Sequence, residues 1–295
     1  MFIIKYRKIF VSISAILVAL SLGSLMYFGL DFGIDFRGGS LMEVTYEGVR
    51  PEQAVVEASL ENLGYGGSLV QQIDTDGYSI KTRALTETER QSLVTALGTE
   101  ATEKSFTSIG PSVGAELVRK SILSFILVSL GIIFFIAFSF RKVSKPVSSW
   151  KYGLIAIVAL VHDVVIVSGI FALMGHFTGA EVDTLFVVAI LTVLGLSVSD
   201  TIVVFDRIRE NIRAGISGSF EDTVGKSLGQ VFTRSVATSF TVIAVLVSLV
   251  FFGPSSTKTF SLLLVIGMFF GTYSSLFLAS PLLVFIQKGQ KHTKE

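Results

Sequence analysis

Six stretches of the chain are apolar at nearly every position for about 20 residues, the length that crosses a hydrocarbon core as a helix. They lie at about 9–29, 121–140, 152–173, 182–205, 231–252 and 259–286. Between the first two the pattern changes. GSLMEVTYE at 39–47 alternates like a strand, and PEQAVVEASLENLGY follows with helical apolar spacing and Pro51 suited to a first helical turn. SLVQQID and GYSIKTR read as two strands around the Asp76-Gly77 turn. TETERQSL opens another helix, with Thr86 and Glu89 in capping-box spacing, and residues 103–109 form a last strand. The order β-α-β-β-α-β predicts one small α+β domain of ferredoxin-like topology.

Composition agrees with a membrane protein. Of 295 residues, 51% are hydrophobic and 16% charged, with 25 phenylalanines, far more apolar than a soluble domain needs. The absence of cysteine removes disulfides, thiolate metal sites and thiol nucleophiles. His162, His176 and His292 are too far apart for metal-ligand spacing. No metal, cofactor, enzymatic chemistry or nucleic acid is expected.

The distribution of basic residues orients the chain. Lys5, Arg7 and Lys8 fall on the same side as Arg141, Lys142, Lys145 and Lys151, as Arg207, Arg209, Arg213 and Lys226, and as Lys288, Lys291 and Lys294. The opposite short loops hold Lys258, with Glu181 and Asp183 after the third span. Both ends are therefore expected in the cytoplasm, and residues 30–120 on the outer side. The divisions are 1–29, the N-terminus and first span; 30–120, the outer domain; 121–286, the other five spans; and 287–295, a tail. The first apolar run is too long for a secretory signal and reads as a retained anchor. DRIRENIRAGISG continues the fourth span as a helix whose basic face suits anionic membrane lipid. VGKS at 224–227 resembles a phosphate loop, but Phe220 stands where the earlier glycine belongs.

Charges inside the spans are the main chemical signal. Asp163 lies near the middle of the third span, Asp200 in the cytoplasmic half of the fourth, and Arg234 near the start of the fifth. An ionised group at bilayer centre costs roughly 2.5–3.5 kcal/mol on insertion scales, so such groups turn inward and find partners. Asp200 and Arg234 reach similar depths and are expected to pair. Ser197 and Thr201 flank Asp200, and Thr238 and Thr241 continue a polar stripe from Arg234. Burial favours the neutral carboxyl and a nearby arginine the charged one, so a group held between them can switch. The alternative is a static ion pair that only holds helices together. His162 reads as a local hydrogen-bond partner, and Asp206 as part of the charged boundary. Gly267, Gly271, Ser275 and Ala279 form a small-residue stripe on the last span, and Gly195 and Ser199 a shorter one on the fourth; ordinary helix packing is sufficient for both.

FGIDFRGGS at 32–40, SIGPSVGAEL at 108–117, VHD at 161–163, SVSDTIVVFDRIREN at 197–211 and TRS at 233–235 occur in one order along the chain. In these motifs the sequence closely resembles the SecF family of bacterial protein export, from the first span to the last. The resemblance implies half of an RND-type bundle, completed by a SecD subunit. It implies that Asp200 and Arg234 belong to a proton pathway at that interface, with Asp163 a lesser candidate. It implies that Asp35, Gly38, Gly39, Gly110, Pro111 and Gly114 are periplasmic coupling motifs. It further implies a bacterial inner-membrane location and partners in the SecYEG channel, a YajC-like small subunit and unfolded translocating polypeptide. The proton-motive force would then promote late steps of translocation. The rival reading is an RND-like half-transporter exporting a small molecule or lipid by proton antiport.

Overall fold

The computed structural model describes residues 2–73, 75–139 and 148–292. Asp74, Arg141, Lys142, Lys145 and Lys294, part of the strand and charge readings above, lie outside the described residues. The chain forms two compact units: a helix bundle, and a small domain of Phe32–Leu123 joined by Glu181–Thr184.

The bundle begins with α1 (Phe2–Lys5) and α2 (Arg7–Phe28). In the small domain come α3 (Ile34–Arg37), β1 (Gly39–Tyr46), α4 (Gln53–Asn62), β2 (Leu69–Ile73), β3 (Gly77–Thr82), α5 (Glu87–Ala96) and β4 (Ala101–Ile109). The four strands form one antiparallel sheet in the order β2-β3-β1-β4, as the β-α-β-β-α-β reading predicts. Met42 and Val44 of β1 and Tyr78 and Ile80 of β3 point to the same face, where Val56 and Leu60 of α4 and Leu93 of α5 bury them. The period-2 alternation thus sets which face meets the helices. Thr86 and Glu89 form the full capping box of α5. Hydrogen bonds from Arg83 and then from the Thr86 N–H hold the Glu89 carboxyl down at about 2. Pro51 is not in the first turn of α4: Glu52 is the cap, and the Pro51 carbonyl accepts from the Tyr78 hydroxyl at 2.7 Å.

Gly39 shows why glycine is required at the start of β1. Its φ is 140°, and a Cβ would lie 2.7 Å from the Thr82 carbonyl oxygen in the neighbouring strand. Gly39→Val is expected to destabilise the full chain by at least about 2 kcal/mol, through backbone strain and overpacking. Denaturant unfolding in detergent, compared with Gly98→Val, checks this: Gly98 also has positive φ but opens onto space, so clash and strain separate.

Six helices are long and apolar enough to cross a membrane among the described residues. Besides α2 they are α6 (Pro111–Ser139), α7 (Ser149–Thr178), α8 (Thr184–Arg213), α9 (Phe220–Phe252), and α10 (Ser255–Tyr273), which continues through a π segment (Ser274–Ala279) into α11 (Ser280–His292). Among the described residues all six apolar stretches form helices, and three run on well past their apolar cores. α6 starts ten residues before position 121, α8 continues to Arg213, and α9 starts at Phe220 with Ser219 capping it. Hydropathy sees the apolar core, whereas capping residues and helix-forming polar residues set the ends. A core of Tyr152, Ile155, Phe205, Ile208, Leu228 and Leu283 gathers α7, α8, α9 and α11. Arg7 ties α2 to the start of α9 through Glu221. Gly169 lets α7 approach α2 closely, and Ser24 donates to its carbonyl at 2.7 Å.

Candidate functional site

Asp163 lies midway along α7 and is fully buried. Its Oδ2 accepts from Ser197 of α8 at 2.5 Å and from Ser274 of the π segment at 2.8 Å, while Oδ1 lies 2.9 Å from His162 Nδ1. Three polar partners from three helical elements thus meet one carboxylate, which offsets the cost of holding it away from water. The wide turn of the π segment turns two consecutive serines to different partners. Ser274 reaches Asp163, and Ser275 meets the Thr201 hydroxyl at 2.7 Å and the Ser197 carbonyl at 3.3 Å. The small-residue stripe serves the same seam. Gly267 faces Val193 and Gly271 faces Ser197, so the helix approaches α8 closely enough for these bonds.

Ser197 and Thr201, expected beside Asp200, bond elsewhere. They are four residues apart on the buried face of α8, and Asp200 lies off that face, half-buried. Asp200 accepts from Thr272 of α10 at 3.2 Å, and Thr272 is 2.5 Å from the Ser239 hydroxyl of α9. The expected pairing with Arg234 is not formed. Arg234 makes no ion pair or hydrogen bond among the described residues and acts on Asp200 only electrostatically, through space. The reason is the rotation of α9. At this level Ser235 and Ser239 are its buried hydroxyls, so Arg234, Thr238 and Thr241 fall on its exposed face. Thr241 donates back to the Ala237 carbonyl of its own helix at 2.8 Å. Gly195 and Ser199 are likewise exposed on α8, so their short stripe packs against nothing among the described residues. Asp206 pairs with Arg209 at 2.7 Å and belongs to the helix surface.

The two glycine motifs of the small domain close on one another. A Cβ at Gly38 would lie 3.0 Å from Pro111 Cα, and one at Gly114 would lie 2.9 Å from the Phe36 carbonyl oxygen. The start of α6 can therefore pack against α3 only because both positions are glycine. Gly110 opens onto space; its carbonyl accepts from the N–H groups of Val113 and Gly114 as α6 begins. Asp35 has a different task. Its Oδ2 accepts from Thr184 N at 2.8 Å and from Thr184 Oγ1 at 2.7 Å, capping the first turn of α8. Beside it, Gly33 N donates to the Val182 carbonyl at 2.9 Å and Lys81 pairs with Glu181 at 2.8 Å.

Sequence reasoning missed Thr184, Ser239, Thr272 and Ser274. The recurrence of hydroxyls in otherwise apolar spans was the available signal. It also missed Asn211, a buried side chain that donates to Ser227 at 2.8 Å and Gln230 at 2.8 Å where α8 turns back into α9. VGKS lies inside α9 with Ser227 bonded to the Thr223 carbonyl, so its backbone N–H groups serve the helix.

The family described as "Protein export membrane protein SecD/SecF, C-terminal" matches residues 89–289, and the "SecD/SecF GG Motif" matches residues 24–48, which hold Asp35, Gly38 and Gly39. The chain belongs to the SecD/SecF family. A protein translocase subunit SecF from Thermobaculum terrenum is 44% identical over 299 residues, covering 96% of this chain and 92% of that one. A SecF from Pseudomonas aeruginosa is 34% identical over 288 residues, covering 95% and 89%. The crystal structure of SecDF, a translocon-associated membrane protein from Thermus thermophilus, superposes with a TM-score of 0.83 at 30% identity. That likeness covers 97% of this chain and 38% of the solved one. The chain is thus a multi-pass, α-helical SecD/SecF-family membrane protein with one small α+β domain.

Proposed function

We propose that the chain is the SecF-type subunit of an accessory complex for protein export, and that with a SecD-type subunit it uses the proton-motive force to promote late steps of translocation. The role is accessory rather than enzymatic. Proton handling is assigned to Asp200 and Arg234, with the Asp163 network behind them and Ser197, Thr201, Thr238 and Thr241 as polar neighbours. The proposed topology puts both ends on the cytoplasmic side of a bacterial inner membrane, with 1–29 and 121–286 supplying the spans, 287–295 a tail, and 30–120 outside. SecYEG, a YajC-like subunit and emerging polypeptide are the proposed further partners.

One observation carries this reading: a half-buried carboxylate, Asp200, and an exposed arginine, Arg234, lie near each other on a face that is unpartnered among the described residues. An unmatched arginine in a span costs a few kcal/mol, which a second polar helix surface offsets. The SecDF chain from Thermus thermophilus is also long enough to supply that second half within one chain.

The sequence contains no cysteine, so single cysteines placed at Ser199 or Thr238 report on this face directly. Both are expected to cross-link to a co-expressed SecD-type subunit, whereas cysteine at Ser235, which is buried, is not. Cross-linking only to a second copy of the chain favours the small-molecule half-transporter. No cross-link to any protein overturns both.

A further inference from the structure

His162 and Asp163 are consecutive, yet their side chains bond to each other within the bundle, with His162 only 3% exposed. The other ring nitrogen, Nε2, is buried and has no hydrogen-bond partner among the described residues. When Nδ1–H donates to the carboxylate, Nε2 presents a bare lone pair. When Asp163 carries the proton and donates to Nδ1, Nε2–H is the unmatched group. In both arrangements the pair holds its proton between the two residues, and Nε2 is the position left to gain or lose one.

We propose that His162 and Asp163 form a second proton-binding unit in this chain, separate from Asp200, with proton uptake at His162 Nε2. The step balances simply: hydronium gives its proton to the Nε2 lone pair and leaves water. Neutral imidazole becomes imidazolium, and the Asp163 carboxylate becomes its counter-ion. Release is the reverse.

The surroundings suit a unit with two states. On α7 the titratable groups at this level are His162 and Asp163 themselves; Lys151, Tyr152 and His176 lie nearer its two ends. α8 presents Ser197, with Asp200 one turn further along and bonded to Thr272 rather than to this pair. α10 presents Tyr273, whose ring stacks on His162 with centroids 6.2 Å apart and whose hydroxyl donates to the Phe10 carbonyl of α2 at 3.1 Å. α2 adds Ser14, within 3.4 Å of that hydroxyl. No lysine or arginine bonds to the pair among the described residues. Ser274 has one hydroxyl proton and two acceptors in reach, Asp163 Oδ2 at 2.8 Å and the Gly271 carbonyl at 3.0 Å. A cation formed at His162 draws on the Asp163 carboxylate and weakens it as an acceptor for Ser274, which shifts the choice between them. Because Ser274 opens the π segment, the helix can register the proton as a change of backbone hydrogen bonding.

This inference deepens the proton-driven reading and rests on it for its purpose, but the test reads the site itself. The chain has three histidines, so nitrogen-15 histidine spectra of the full chain in lipid bilayers give three ring systems, and His162→Gln assigns one. The His162 ring is expected to pass reversibly between neutral and imidazolium forms as the bulk pH is lowered. In Asp163→Asn its imidazolium population at the acidic end is expected to fall about tenfold, with His176 and His292 unchanged. Ser274→Ala keeps the carboxylate, removes one donor to it, and serves if Asp163→Asn does not fold. It is expected to raise the imidazolium fraction at a given pH.

A His162 ring that stays neutral throughout, or titrates identically in both variants, overturns the proposal. Asp200→Asn is expected to leave this titration in place. If export stimulation proves independent of Asp200 while His162 still titrates, the functional reading fails and the proton site stands. If stimulation depends on Asp200 while His162 never titrates, only this inference falls.

Discussion

Asp200→Asn is expected to insert, fold and assemble like the parent chain and to lose proton-dependent stimulation of protein export. The carboxamide keeps the volume and an acceptor oxygen for Thr272, the one hydrogen bond that Asp200 makes among the described residues. A half-buried site with a single modest bond at 3.2 Å gives little stability to lose. What the substitution removes is the ability to change charge. Moving one elementary charge down about 100 mV supplies about 2.3 kcal/mol, a bias of roughly fiftyfold on a two-state element. Complete reversal from 1:99 to 99:1 needs about 5.5 kcal/mol, so one proton at one site biases the bundle without driving it to completion.

Thr272 and Ser239 make the bias structural, since they link Asp200 on α8 to α10 and α9. Protonation weakens the acceptor at the head of that chain and loosens three helices together. The measurement is export into inverted membrane vesicles with and without a proton gradient, alongside the amount of complex formed. Full gradient-dependent stimulation at normal assembly sinks the assignment of Asp200, and poor assembly gives it a structural role.

The fold was legible because membrane spans and alternating strands are long-range patterns that a local reading captures. Among the described residues every apolar stretch forms a helix and every strand of the small domain pairs, since burying a face imposes its period on the sequence. The site was legible in depth but not in rotation. Placing Asp200 and Arg234 at similar depth uses only the rise per residue. Whether they touch depends on which face of each helix is buried, and Ser235 and Ser239 settle that against a direct pair. Asp163 ranked below Asp200 through the family resemblance, and its partners Ser197 and Ser274, 34 and 111 residues away, were beyond a local reading. The π segment was not legible at all. It is a local widening set by packing, and SSLFLA has no composition that separates it from ordinary helix. The glycine motifs showed that close approach occurs, and the structure supplies what approaches: Pro111 and Phe36 across one junction.

Asp35→Ala is expected to leave proton uptake by the bundle intact and to disconnect it from the small domain. Asp35 accepts both the backbone N–H and the hydroxyl of Thr184, so its removal costs α8 a cap, about 0.5–2 kcal/mol. The functional loss is larger than that figure suggests, because of where the cap sits. α8 runs unbroken from Thr184 past Asp200, about sixteen residues or roughly 24 Å of continuous helix. On the proposed mechanism a displacement at Asp200 is expected to travel along that length to the segment 181–184, which is part of the small domain and is bonded there by Asp35, Gly33 and Lys81. Without Asp35 the helix end frays and the displacement is absorbed locally. Gradient-dependent stimulation of export should fall about tenfold or more, the effect of losing roughly 1.4 kcal/mol of coupling. Asp35→Asn keeps one acceptor oxygen and should retain part of the response. Paired spectroscopic labels on α5 and α7, followed as pH is stepped, separate the two links of the chain. In Asp35→Ala the labels should cease to respond while the bundle still takes up its proton. An unchanged response would show that the motion reaches the small domain through α2 or α6 instead, and that the cap on α8 only stabilises the helix.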